Sequence, residues 1–174
     1  MDAMDAQERR RAILQRLNTA TGPVSAAALA RELGVSRQII VGDVALLRAV
    51  GHPVTATPRG YVSGRSPGVT RTLACLHDGA GMEAELTALV DTGCEVVDVI
   101  VEHPIYGQLT GQLRLRSRYD VSQFIAQSQR SGAQPLSQLT GGLHLHTIRG
   151  EDDSALNRAE EAMRELGFLW QEEV

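Results

Sequence analysis

The sequence predicts an α+β protein in two parts: an N-terminal winged helix-turn-helix, then a two-layer α/β domain with a mainly antiparallel sheet. Three observations carry this. The first 62 residues hold three short helical patterns and two β-prone stretches joined by a tight turn. Beyond residue 68, strand and helix patterns alternate. Between them, Ser63-Gly64-Arg65-Ser66-Pro67-Gly68 has the composition of a linker. The boundary is expected at this linker, giving domains 1–65 and 66–174, and 174 residues suffice for two small cores.

The first helix, over 7–18, sets Ile13, Leu14 and Leu17 at helical spacing among Arg9, Arg10, Arg11 and Arg16, and Thr21-Gly22-Pro23 ends it. Ser25 is a suitable N-cap for an alanine-rich helix over 26–33 that Gly34 stops. Ser36 caps a third helix running to about Val50. Residues 52–56 and 60–62 then read as strands of a hairpin around Thr57-Pro58-Arg59. In the second part, strands are expected at 69–76, 95–101, 105–115 and 143–148, and helices at 82–92, 121–131 and 154–166. The order β-α-β-β-α-β-α suggests helices on one face of the sheet, ferredoxin-like or HPr-like.

Hydrophobic residues make up 43% and charged residues 22%, as in ordinary soluble proteins, and no apolar run could span a bilayer. The first residues enter a helical pattern without a secretory signal, so a cytoplasmic protein is expected, with Cys75 and Cys94 as reduced thiols outside any CxxC motif. The net charge of −4 hides an asymmetry. Residues 1–65 carry nine Arg against five acids, while residues 66–174 carry eight Arg against sixteen acids. A polyanion would therefore meet the first part.

Within 26–48, Leu29, Leu33, Val35, Ile40, Val44 and Leu47 form an inner face, and Gly34 sits in the turn between helices. The second of these helices then presents Arg37, Gln38 and Val41, beside its cap Ser36, where a recognition helix meets base edges in the major groove. Arg48 suits a backbone contact, and Arg59, at the hairpin tip, a phosphate or minor-groove contact. Residues 8–62 resemble the winged helix-turn-helix of biotin-repressor-like bacterial regulators. Gly42 departs from a good recognition helix, since it costs about 1 kcal/mol in helix propensity and offers no side chain to DNA.

His144-Leu145-His146 lies in a strand, so both imidazoles project from one face. His77 ends the first strand of this domain. In either candidate topology that strand and the fourth are antiparallel neighbours, so three imidazoles converge. Glu85, in the first turn of the following helix, could complete the set, with Glu83 as competitor. Three imidazoles and a carboxylate suit one divalent first-row transition ion, such as Zn²⁺, Ni²⁺, Fe²⁺ or Co²⁺, and suit Ca²⁺ or Mg²⁺ poorly. Cys75 shares the face of His77 and could ligate, although a small apolar core role fits it better.

The order His77-Asp78-Gly79, Glu85, Val101-Glu102-His103-Pro104-Ile105-Tyr106-Gly107, Gly142-Leu143-His144-Leu145-His146 resembles the 3H domain of NiaR-type repressors. That resemblance implies a repressor, not an enzyme, of genes for NAD synthesis or niacin uptake. It implies nicotinic acid as co-repressor and a metal, nickel or zinc, at His77, Glu85, His144 and His146. His103 is expected either to cap its turn or to line the effector pocket, and Tyr106 invites the same two readings. The ion would keep a position open for the pyridine nitrogen, and a homodimer would match two operator half-sites. The rivals are a repressor sensing metal alone and a metal-dependent amidohydrolase fused to a DNA-binding module.

Overall fold

The computed structural model describes residues 4–64 and 68–172. The chain forms two compact units, Met1–Ser66 and Pro67–Val174. The expected domain boundary at 65/66 lies outside the described residues.

In the first unit, α1 (Ala6–Thr19), α2 (Ala26–Leu33) and α3 (Arg37–Ala49) precede a hairpin of β1 (Val54–Thr57) and β2 (Gly60–Ser63). Each helix starts on the side chain its sequence offers. Asp5 accepts from Gln7 N and Glu8 N in a capping box, Ser25 from Ala28 N and Ser36 from Ile39 N. Gly34 closes α2 in the left-handed region, with φ 65°, a conformation that costs glycine nothing and sets the turn into α3. Ile13, Leu17, Leu29, Ile40, Val44, Leu47 and Val54 form the core. Val24 pairs with Tyr61 through both backbone hydrogen bonds, 2.9 and 2.8 Å, and so ties the segment before α2 to the hairpin.

Among the described residues, one charged side chain is buried beside this core. Asp43, on α3, is 4% exposed and accepts from Arg9 Nε at 2.6 Å and Arg10 Nη1 at 3.3 Å, both on α1. A buried carboxylate is tolerated only when its charge is met, so these two arginines are committed to holding α1 against α3.

The second unit contains β3 (Val69–Leu76), α4 (Met82–Asp91), β4 (Glu95–His103), β5 (Gly107–Leu115), α5 (Arg118–Ser131), β6 (Leu143–Gly150) and α6 (Asp153–Glu165). The sheet order is β3-β6-β4-β5 with every neighbouring pair antiparallel. A ferredoxin-like split βαβ would set its first and third strands side by side and parallel. Here the first strand lies at one side and pairs with the fourth, which is the HPr-like arrangement. The strand expected from residue 105 begins at Gly107, because Pro104, Ile105 and Tyr106 form the turn after β4.

Along β6, His144, His146 and Ile148 alternate inward, toward the layer in which Leu86, Leu89, Leu156 and Met163 are buried. The histidines thus extend the row of core positions. After α6 the chain returns along β3: Leu76 N donates to Phe168 O at 2.8 Å and Trp170 N to Ala74 O at 2.9 Å. This isolated antiparallel bridge between Leu169 and Cys75 covers the outer side of β3 and brings Phe168 onto the His77 ring, with centroids 4.6 Å apart.

Candidate metal centre

The β3–β6 register sets Cys75 opposite His144 and Leu73 opposite His146, so the inward side chains of the two strands share one face. His77 follows β3 directly. Glu85 projects from the first turn of α4 and is 1% exposed. Glu83 points outward and is exposed, which separates the two carboxylates that spacing left in competition.

His77, Glu85, His144 and His146 meet. His77 Nε2 lies 2.7 Å from Glu85 Oε2, His144 Nε2 2.9 Å from Oε1, and His146 Nε2 3.3 Å from Oε2. No side chain of the four is more than 4% exposed. The opposite edge of each ring is tied to a backbone carbonyl. Nδ1–H donates from His77 to Asp78 O at 2.6 Å, from His144 to Gly142 O at 2.8 Å and from His146 to Asp98 O at 2.7 Å. A carbonyl only accepts, so each Nδ1 carries a proton and each Nε2 is left for the centre.

That arrangement tests the donor set for a metal. Three Nε2 atoms facing a carboxylate are either protonated or share a cation with it, because neutral nitrogen lone pairs aimed at an anion repel. Locked Nδ1–H tautomers with Nε2 turned inward are what a ligating histidine needs, and three nitrogens with one carboxylate fit a divalent transition ion.

Without a metal, protons meet the same demand. Burial is the largest influence and opposes charge on His77 and His146, but the hydrogen bonds and charge of Glu85, together with those of Asp78 at His77 and Asp98 at His146, outweigh it and raise both. Burial would raise Glu85, yet hydrogen bonds from His144, His146 and His77 hold it well below the usual carboxylate range.

Two glycines shape the site. A Cβ on Gly81 would lie 2.8 Å from His77 Nδ1 and 3.0 Å from Phe168, so the ring is wedged between glycine and phenyl. Gly142 has φ +98°, and a Cβ there would meet His77 O at 2.3 Å, so only glycine lets the start of β6 approach the end of β3 this closely.

Sequence reasoning missed the carbonyl partners and the Phe168 contact. The apolar Phe168-Leu169-Trp170 run after Gly167 was the available signal for the bridge at Leu169. His103 does not join the cluster. Its Nδ1 accepts from Ile105 N at 3.1 Å and Tyr106 N at 3.3 Å, and its ring stacks on Tyr106, so it caps the β4–β5 turn. Tyr106 is 73% exposed. A groove of about 250 Å³ reaches His144 and is lined by Ala74, Ile100, Leu143, Leu145 and Trp170, with Glu102 as its charged residue.

On the first unit, Ser36, Arg37, Gln38, Val41 and Arg48 are exposed along α3, and Arg59 lies half-buried in the β1–β2 turn.

Two family models match the chain: an HTH domain over residues 9–62 and a 3H domain over residues 70–172. The probable transcription repressor NiaR of Thermotoga maritima is 42% identical over 167 residues, covering 95% of each chain. The chain belongs to this family of transcription repressors. The transcription repressor NadR of Bacillus subtilis is 40% identical over 166 residues, covering 92% of each. The histidine cluster therefore lies in a 3H domain attached to a helix-turn-helix of a repressor, and the relatives' names describe regulators rather than enzymes. Among the described residues no helix is long and apolar enough to cross a membrane.

Proposed function

We propose that this repressor acts in the cytoplasm as a homodimer on operators of NAD-synthesis or niacin-uptake genes. In this reading its 3H domain holds one divalent transition ion, nickel or zinc, at His77, Glu85, His144 and His146, and nicotinic acid is the co-repressor. The observation that carries the metal reading is the set of three Nδ1-anchored imidazoles whose Nε2 atoms all face Glu85. When bound, such an ion supplies a Lewis-acid centre able to accept a neutral nitrogen donor. The largely apolar groove beside His144 offers no arginine among its described lining residues, and its carboxylate is Glu102, so the reading does not use it for the effector's carboxylate.

For DNA, the exposed α3 face supports Arg37, Gln38 and Val41 as readers of base edges and Arg48 on the backbone, while Arg59 in the β1–β2 turn takes a phosphate or minor-groove contact. The Ser36 hydroxyl accepts from Ile39 N at 3.3 Å and keeps its own proton to give to a phosphate.

Enclosure of the four side chains favours a second reading, in which the ion itself is the signal. An electrophoretic shift with the protein's own upstream DNA separates the two. The co-repressor reading expects tight binding only with metal and nicotinate together, abolished by a chelator. Tight binding with metal alone selects the metal sensor, and binding indifferent to both overturns each reading.

A further inference from the structure

Cys75 is fully buried, faces the same side of the sheet as His144 and stands directly opposite it in the β3–β6 register. Its Sγ, an oxygen of Glu85 and a ring nitrogen of His144 all lie within 4.8 Å of one another. The position is thus both a core position and one wall of the histidine cluster. Charge gives it a task. A divalent ion among three neutral imidazoles and one carboxylate leaves one uncompensated positive charge in a pocket whose ligating side chains are at most 4% exposed. Buried net charge is costly, and one further anionic ligand removes it.

We propose that Cys75 Sγ is an additional ligand of the ion held by His77, Glu85, His144 and His146, and that it biases the site toward thiophilic later first-row ions such as Co²⁺, Ni²⁺ and Zn²⁺ over Mn²⁺. The inference rests on the metal reading above and deepens it. Ligation replaces the S–H bond by a sulfur–metal bond and releases the proton to solvent, with no change of oxidation state. Cys94 supplies the internal control. It is buried in the same unit, but its thiol donates to Ala155 O at 3.4 Å, outside the cluster.

The test is titration of the metal-free full chain with Co²⁺ while the absorption spectrum is recorded. The wild-type protein is expected to develop visible d–d bands together with a near-ultraviolet sulfur-to-cobalt charge-transfer band. C94S keeps both, whereas C75S keeps the d–d bands and loses the charge-transfer band. C75S also loses on the order of tenfold in Zn²⁺ affinity, with Mn²⁺ affinity unchanged. Because the decisive spectrum is that of the wild type, failure of a variant to fold does not protect the proposal. Visible bands without charge transfer overturn the role of Cys75 and leave the histidine site standing. Charge transfer that persists in C75S also overturns it. No cobalt bands at all overturn both readings.

Discussion

His146 is anchored by Asp98: the Asp98 carbonyl accepts the His146 Nδ1 proton at 2.7 Å, where the β4–β6 register shifts between Val96 and Asp98. The Asp98 carboxylate meanwhile accepts from Thr147 N at 3.0 Å, on the same stretch of β6. The irregularity in β4 thus aims an imidazole, as bulges beside functional sites do.

Glu85 is the common partner of all three rings, so replacing it tests the cluster as a unit. E85Q keeps the shape and loses the charge. It is expected to lower Zn²⁺ or Ni²⁺ affinity by on the order of 100-fold or more, read by competition with a chromophoric chelator. An affinity within about twofold of wild type would remove Glu85 from the ligand set.

The ring of His77 is expected to be displaced in G81A, because the new methyl enters the space the imidazole occupies. Metal affinity falls roughly tenfold or more, while the far-ultraviolet circular dichroism spectrum is retained. Unchanged affinity would mean that His77 does not need its present position.

The metal-free protein is expected to lose stability as pH rises past the ordinary histidine value of 6.5. His77 and His146 are raised above their ordinary value of 6.5, so their contribution is complete below 6.5 and disappears as pH climbs through the folded values. Glu85 is depressed. Its contribution is present above 4.5 and is lost only as pH falls well below that. Saturating Zn²⁺ reverses the alkaline trend, because an ion competes with protons for the same nitrogens. Calorimetric Tm values from about pH 5 to 9, with and without zinc, check both signs.

D43A removes the charge that Arg9 and Arg10 share in the first unit. Leaving those guanidiniums without their partner is expected to cost about 3 kcal/mol, read as a lower denaturation midpoint. Conversely, G42A is expected to stabilise α3 by about 1 kcal/mol, since a Cβ at Gly42 meets nothing within 4 Å.

On DNA, Q38A is expected to cost about 1–3 kcal/mol on the operator and to relax sequence preference. R48A weakens all sequences alike and lowers the salt slope by about 1. Equal effects of both variants on random DNA would argue that α3 does not read bases.

Periodicity made the element order legible, an H-x-H strand set antiparallel to the strand before His77 brought three imidazoles together, and the resemblance to the 3H domain rather than spacing chose Glu85 over Glu83. Other features left little or no periodic trace. Lateral strand order depends on packing between distant segments, so periodicity alone allows both topologies, and the place of β3 at the side of the four-stranded sheet decides between them. The bridge at Leu169 is too short for periodicity and is marked only by a three-residue apolar run. Asp78, Gly142 and Asp98 act through carbonyls that every residue owns. Cys75 was ambiguous for a physical reason: an inward position beside His144 serves packing and ligation alike. His103 had two readings because the turn that captures its Nδ1 involves the backbone of its neighbours.

The most direct measurement is a diffraction experiment on crystals grown with one equivalent of Ni²⁺ or Zn²⁺, collected at the absorption edge of the metal. An anomalous peak is expected within bonding distance of His77, Glu85, His144 and His146. Rings still closed on Glu85 with no peak among them, in crystals whose solution contains the metal, would contradict the account.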